Sequence, residues 1–118
     1  MEFSKSGRIW FDFCHATDGD DKVVGGIGFD EFIHFPDCAE LQKLYLADPV
    51  KGFGLGYRLI SFIEGRMLEA GYKTSYLETH DILQTALHIY EKSGYLEIER
   101  PKEVGHGAMN KFFRKELS

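Results

Sequence analysis

The sequence predicts an α/β (α+β) domain in which helices pack on a mixed, mainly antiparallel sheet. The first half contains strand-like segments separated by turn residues, and the segment 54–70 has apolar residues at helical spacing. After that helix, strand-like and helix-like segments alternate, so part of the sheet should be parallel. The predicted order is β-β-β-α-β-α-β-β. A length of 118 residues indicates a single domain, 1–118.

Turn residues and alternation predict the first three strands. The aromatic-rich segment 8–14 and the segment 22–29 flank the turn cluster 17–21, so they should pair as a hairpin. Residues 30–37 include a proline and should connect this hairpin to a third strand at 39–46.

The third strand contains a slip in its alternation. Its first two apolar residues share one phase and its last two share the other, which one extra residue would repair. The sequence therefore predicts a β-bulge near Gln42 and Lys43, a feature often found beside functional sites. The two apolar pairs are Ala39 with Leu41 and Leu44 with Leu46.

Two helices are predicted by apolar residues at helical spacing. The first, 54–70, should end before Gly71, which suits the C′ position. The second should run to Lys92, with Asp81 or Thr79 as its N-cap. Their inner faces comprise Leu55, Leu59, Phe62, Ile63, Met67 and Ala70 in the first helix and Leu83, Ala86, Leu87 and Tyr90 in the second. The remaining strands are predicted at 74–78, 95–99 and 109–115.

Composition and charge exclude several classes of function. A net charge of −5 argues against general nucleic-acid binding and is compatible with a basic acceptor such as an amine. The two cysteines, Cys14 and Cys38, are too few for a disulfide framework, so a reducing cytoplasm is expected. No apolar run approaches the ~18 residues of a membrane span, and residues 1–6 lack the apolar region of a signal peptide.

A metal site is not predicted. The cysteines and histidines of the first half offer one loose pair with ligand-like spacing, His34 and Cys38. Asp18, Asp20 and Asp21 lack the glutamate that completes a calcium loop, so a hairpin turn is the better interpretation.

The segment 39–60 carries the chemistry, because it joins a strand, a glycine-rich loop and the start of a helix. A helix N-terminus has unpaired N–H groups and a partial positive charge. Gly52, Gly54 and Gly56 let the backbone approach an anion closely, which predicts a cradle for a phosphate or pyrophosphate. The loop lacks the Gly-Lys-Ser/Thr ending of a P-loop and the Gly-x-Gly-x-x-Gly spacing of a dinucleotide fold. A purely structural turn remains an alternative.

The loop and a second motif resemble the GNAT superfamily of N-acetyltransferases. The GNAT pyrophosphate loop, Arg/Gln-x-x-Gly-x-Gly/Ala, is similar to residues 51–56, Lys-Gly-Phe-Gly-Leu-Gly. The family's central strand resembles residues 39–46, and its Ala-x-x-x-Tyr-Glu-Lys-x-Gly-Phe segment resembles residues 86–95. The resemblance covers about residues 8–118. It implies acetyl transfer from acetyl-CoA to a small-molecule or peptide amine, by direct attack on the thioester.

The resemblance also implies where acetyl-CoA binds. Backbone N–H groups of 52–56 would hold the pyrophosphate, and the strand near Leu44 and Leu46 would pair with the pantetheine arm where it splays from the strand 74–78. The implied cofactor-binding residues are Leu44, Tyr45, Leu46, Lys51, Gly52, Phe53, Gly54, Leu55, Gly56, Tyr57 and Arg58.

Three residues are candidates for proton transfer, two glutamates as the base and one tyrosine as the acid. Neutralising a lysine-like amine at pH 7 costs about 4.6 kcal/mol, so a base is useful. Glu40 aligns with a glutamate that some GNAT members use, and a solvated strand carboxylate is the alternative; Glu78 is a second candidate. Tyr90 aligns with the family tyrosine beside the coenzyme A sulfur, where a phenol can protonate the leaving thiolate; a core tyrosine is the alternative. Leu83 replaces an asparagine that often contacts pantetheine.

The sequence departs from the family before the hairpin, where GNAT members usually have another strand and two helices that line the acceptor site. A partner could supply that lining, or the site could be open. A coenzyme A-binding module that has lost catalysis is therefore an alternative function, and a scaffold without cofactor is a third. Exposed apolar surface at such a site would favour a homodimer.

Overall fold

The computed structural model of the chain describes residues 2–5, 12–17, 23–46, 54–105 and 107–117. The predicted fold class is confirmed, with one strand more than predicted at the N-terminal end. That strand has the sequence Glu-Phe-Ser-Lys, which is too short and polar to show a strand pattern. The elements are β1 Glu2–Lys5, β2 Asp12–Thr17, β3 Val23–Glu31, β4 Cys38–Leu46, α1 Leu55–Glu69, β5 Thr74–Thr79, α2 Gln84–Lys92, β6 Leu96–Ile98 and β7 Lys111–Glu116.

The strands form one sheet with the order β1-β2-β3-β4-β5-β7-β6. Five of the neighbouring pairs are antiparallel, and β4 pairs with β5 in parallel. The parallel pair follows from the chain's path, because α1 crosses over between β4 and β5. The sheet is therefore mixed and mainly antiparallel, as predicted.

The predicted bulge in β4 is confirmed by the register of its pairing with β3. Gly26 faces Tyr45 and Gly28 faces Gln42, so a single residue of β3 opposes two residues of β4, at 43 and 44. The hairpin before it is shifted from its predicted position. β2 is described from Asp12 to Thr17, and β3 continues to Glu31.

The two faces of the sheet differ in what covers them. On the helical face, side chains of β3, β4, β5 and β7 form the main core with α1 and α2. On the open face, a smaller cluster contains Phe32, Cys38, Tyr76 and Phe112, and none of the described helical residues belongs to it. Because side chains alternate along a strand, Glu40 lies on the open face between Ala39 and Leu41, which are in the main core.

The inner face of α1 is largely as predicted. Leu59, Ile63 and Met67 are buried, and Ile60 is buried beside them although it was not predicted. Ala70 is exposed because it is the C-cap, beyond the last helical residue. Gly71 follows with φ of 98°, so the predicted C′ position is confirmed.

The predicted start of α2 is wrong. Thr79 is buried at the end of β5, and the backbone N–H of Asp81 donates to Asn110 Oδ1 within a turn. The helix begins only at Gln84, with Leu83 as an N-cap that makes no side-chain capping bond. Leu83 is 48% exposed, so it does not belong to the inner face, which is completed by Ile89. Neither helix in the described ranges is long and apolar enough to cross a membrane.

Candidate active site

The parallel strands β4 and β5 pair over only three positions. Their register ends at Glu40 opposite Tyr76, whereas β4 runs on to Leu46 and β5 to Thr79. Beyond that pair, no ladder joins the two strands in the described residues. The predicted splay is therefore confirmed, and it leaves an edge of backbone N–H and C=O groups that an extended ligand can pair with.

A cleft of about 430 Å³ lies between the splayed part of β4 and α2. Leu44 forms one side, and Ile89 and Tyr90 form the other. Ile82 and Leu83 are exposed at its edge, and the remaining lining residues come from the first turn of α2. This mainly apolar lining suits an alkyl-amide chain rather than a charged group.

Tyr90 lies in this cleft as a mostly buried phenol. Its side chain is 7% exposed, and its ring lies 6.2 Å from that of Tyr95 and 6.4 Å from that of Phe113. No hydrogen bond joins its hydroxyl to another described residue. Burial raises the pKa of Tyr90 to about 12, so the phenol keeps its proton at neutral pH and can donate it.

Glu40 lies on the open face at the point where the strands diverge. Its neighbours in the sheet are Asp30 of β3 and Tyr76 of β5, and Gln42 Nε2 donates a 3.4 Å hydrogen bond to its carboxylate. Burial raises the pKa of Glu40, and the negative charge of Glu78 raises it further. A carboxylate in this environment is a better proton acceptor than an exposed one.

The two predicted catalytic residues therefore lie on opposite faces of the sheet. Tyr90 packs with the core of the helical face, and Glu40 shares the open face with Tyr76. The structure does not bring their side chains into contact. A thioester passing between β4 and β5 could be reached from both sides.

The described part of the predicted pyrophosphate site is the N-terminus of α1. Gly54 has φ of 73° and is the N-cap, and its carbonyl accepts the N–H of Arg58 at 3.1 Å. The first turn contains no acidic residue, and a Cβ placed on Gly54 would meet nothing within 4 Å. These features fit an anion, because the N–H groups and the dipole of a helix N-terminus favour negative charge and no acidic residue of the first turn opposes it.

The other predicted cofactor residues are described to different extents. Tyr57 and Arg58 are exposed on the first turn of α1, and Gly56 is buried. For Tyr45, Leu46 and Leu55 only the backbone is described. Outside the described residues lie Lys51, Gly52 and Phe53.

One residue of the site was missed by the sequence analysis. The hydroxyl of Tyr76 donates a 2.9 Å hydrogen bond to Glu78, and both lie on the open face beside Glu40. The predicted strand 74–78 could have indicated this pair, because the side chains of residues two apart on a strand lie on the same face of the sheet.

Sequence comparison identifies the family. Residues 3–95 match the Acetyltransferase (GNAT) family. The chain belongs to this family. The matched part of the GNAT domain includes Glu40, Tyr90 and the whole of β4 and α1. The resemblance that the two motifs indicated is thereby confirmed.

Two curated N-acetyltransferases are similar to this GNAT domain. An uncharacterized N-acetyltransferase of Escherichia coli, YjgM, is 35% identical over 98 residues, which are 82% of this chain and 56% of that protein. An uncharacterized N-acetyltransferase of Schizosaccharomyces pombe, C1271.07c, is 31% identical over 64 residues, which are 54% of this chain and 39% of that protein. The chain thus spans about half the length of the curated relatives that it matches.

Solved structures share the fold of this GNAT domain at low identity. A GNAT acetyltransferase from Staphylococcus aureus Mu50 has a TM-score of 0.81 and 22% identity, covering 92% of this chain and 69% of that one. An aminoglycoside 6'-N-acetyltransferase complexed with coenzyme A has a TM-score of 0.76 and 20% identity, covering 93% of this chain and 74% of that one. A spermidine N-acetyltransferase chimera of Vibrio cholerae SpeG and hSSAT has a TM-score of 0.72 and 19% identity, covering 92% of this chain and 68% of that one.

Proposed function

We propose that this GNAT domain transfers the acetyl group of acetyl-CoA to an amine by direct attack on the thioester. The observation that most supports this is the gap between β4 and β5, with a proton donor on one side and a proton acceptor on the other. Tyr90 lines the cleft on the helical face, and Glu40 lies at the mouth of the gap on the open face.

The same gap supports the proposed binding mode of acetyl-CoA. The backbone from Leu44 to Leu46 would pair with the pantetheine arm, which would take the place of the strand that β5 does not supply. The pyrophosphate would bind at the N-terminus of α1, with residues 51–58 contributing backbone N–H groups and the cationic side chains of Lys51 and Arg58.

In the proposed chemistry two side chains of the protein transfer protons. An ammonium acceptor approaches from the open face and gives one proton to Glu40, directly or through a water molecule, and so becomes a neutral amine. Its nitrogen forms the bond to the acetyl carbon while the carbon–sulfur bond breaks. Tyr90 gives its proton to the departing sulfur, which would otherwise leave as a thiolate. The second proton of the nitrogen passes to water, from which the Tyr90 phenolate is reprotonated. The two residues act from opposite faces, so neither competes with the other for space.

The acceptor is proposed to be a cationic amine. Asp30 and Glu78 add their negative charges to that of Glu40 at the mouth of the gap, and opposite charges attract acceptors that arrive as ammonium ions. The spermidine and aminoglycoside acetyltransferases among the similar structures support small polycationic amines as the first compounds to try.

Calorimetric titration with acetyl-CoA is the first test, with Gly54→Glu as the matched variant. Micromolar binding by the wild type that the variant loses would support the site, because the new carboxylate faces the anion. Coenzyme A release should then be measured with spermidine, an aminoglycoside and a peptide amine. Failure of the wild type to bind acetyl-CoA would contradict the proposal. Binding without turnover on any amine would favour the alternative, a coenzyme A-binding module without catalysis.

The cytoplasmic location and the homodimer remain predictions. Light scattering at high concentration tests the dimer, and a strict monomer would contradict it.

A further inference from the structure

Tyr76 is held in one place by aromatic packing on the open face. Its side chain is 0% exposed, and its ring stacks on Phe32 with centroids 3.9 Å apart and planes at 17°. The ring of Phe35 meets it edge-on at 5.7 Å. Burial raises the pKa of the Tyr76 hydroxyl, so the hydroxyl acts as a hydrogen-bond donor at neutral pH. Its acceptor is Glu78, at 2.9 Å.

This hydrogen bond fixes a carboxylate beside the gap. Tyr76 is the last residue of β5 that pairs with β4, and its partner is Glu40. Glu78 is the next side chain of β5 on the same face, so it lies where the two strands have begun to diverge. The carboxylates of Glu40 and Glu78 therefore flank the gap from its two strands.

We propose that Glu78, held by the Tyr76 hydroxyl, is a positioning residue that makes Glu40 a stronger base toward a cationic amine. The inference rests on the proposed function in taking Glu40 as the base. Two carboxylates on neighbouring strands repel each other, and the repulsion falls when one of them takes up a proton. An ammonium group bound at the gap would be attracted by both, and its proton would pass to Glu40.

Other charged groups face Glu40 from the surrounding elements. Asp30 of β3 adds to the negative charge, and His34 in the β3–β4 connection opposes it. Burial has a larger effect on the pKa of Glu40 than any of these charges, and Glu78 comes next. Arg114, on the strand beyond Tyr76, forms an ion pair with Glu116 at 2.7 Å.

The test is a carbon-13 NMR titration of the side-chain carboxyl groups, with Glu40→Gln used to assign the Glu40 signal. In Glu78→Gln the titration midpoint of Glu40 should move to lower pH, because the repelling charge is gone while the new amide oxygen can still accept the Tyr76 hydroxyl. Tyr76→Phe keeps the stacked ring and frees Glu78, so it should move the midpoint in the same direction by less. Glu69→Gln removes an equal charge from the exposed end of α1 and should leave the midpoint unchanged.

Two outcomes would overturn the inference. One is an unchanged Glu40 midpoint in Glu78→Gln, and the other is an equal shift in Glu69→Gln, which would indicate a general effect of net charge. The pH profile of kcat/KM with spermidine gives a second readout, in which the acid limb should move to lower pH in Glu78→Gln. A wild type that does not acetylate amines would contradict the proposed function, while the titration would still decide whether Glu78 acts on Glu40.

Discussion

The amino group of Lys115 lies 2.9 and 3.1 Å from the two carboxylate oxygens of Glu64. The pair joins β7 to α1, and the two side chains are only 26% and 13% exposed. The same amino group lies 5.8 Å from the centre of the Tyr95 ring. The helix whose N-terminus is proposed to hold the pyrophosphate is therefore fastened to the far half of the sheet by a largely buried ion pair.

Lys115→Met should lower the free energy of unfolding by about 1–3 kcal/mol. The substitution keeps the aliphatic length but leaves the Glu64 carboxylate without its cation, and the cost lies between that of exposed and fully buried pairs. Urea unfolding followed by circular dichroism measures it. Glu69→Gln breaks an exposed pair with Arg66, at 3.8 Å, and should change stability by less than about 0.5 kcal/mol. Equal effects of the two variants would contradict a structural role for the Lys115–Glu64 pair.

Tyr90→Phe should separate catalysis from stability. The loss of a general acid should lower kcat on the order of 100-fold, while acetyl-CoA binding and the free energy of unfolding stay nearly unchanged. Since the pKa of Tyr90 is raised to about 12, this group should produce no alkaline limb in the pH profile until the pH approaches that value.

Tyr95→Phe is the converse control, because the hydroxyl of Tyr95 lies 2.7 Å from Ser75 Oγ inside the core. It should cost about 1–2 kcal/mol of stability and leave kcat unchanged. A fully active Tyr90→Phe variant would remove Tyr90 from the mechanism.

Two glycines, one at the N-cap of α1 and one inside the helix, should respond in opposite ways to substitution by alanine. Gly54 has φ of 73°, so Gly54→Ala should destabilise the chain by about 1–2 kcal/mol even though its Cβ would meet no atom within 4 Å. Gly65 lies inside α1, also with open space, so Gly65→Ala should stabilise by about 0.5–1 kcal/mol. Thermal unfolding of both variants tests this. A Gly54→Ala variant as stable as the wild type would mean that Gly54 does not require its left-handed conformation.

Glu40→Gln should lose activity and gain stability. Because the native pKa of Glu40 is raised above its ordinary value of 4.5, the native state holds more protons than the unfolded state between these two values. The stability that Glu40 contributes is therefore present below pH 4.5 and is lost as the pH rises through the native pKa. At pH 8 the variant should be more stable than the wild type by about 0.5–2 kcal/mol, as is common when a functional group is neutralised. The difference should shrink below about pH 4, and urea unfolding at both pH values would show it; a constant difference would contradict the account.

Much of the fold follows from local patterns in the sequence. The phase slip in β4 located the bulge, because alternation is a direct consequence of strand geometry. The apolar spacing of α1 and the position of Gly71 fixed that helix within one residue at each end. In both cases one face must be buried, and the pattern shows which face it is.

The parts that were missed depend on contacts between distant segments. The residues before Gln84 form a separate turn, in which the Leu83 N–H donates to the His80 carbonyl and the Asp81 N–H donates to Asn110, 29 residues further along the chain. The Tyr76–Glu78 hydrogen bond is local, but its importance depends on Glu40 standing across the strand pair. The sequence indicated that these two strands are neighbours but not their register, so it could not show that Glu40 stands opposite Tyr76.

Three residue pairs join β4 to β5 in the described residues, so the two halves of the sheet share few main-chain hydrogen bonds. A ligand that pairs with the free edge of β4 would add main-chain hydrogen bonds where the halves are least connected. Under the proposed function, acetyl-CoA at 100 times its Kd would raise the free energy of unfolding by about 2.7 kcal/mol, since ligand binding stabilises only the native state. The stability of this chain would then depend on the concentration of its own co-substrate, and it would fall as that concentration drops toward Kd.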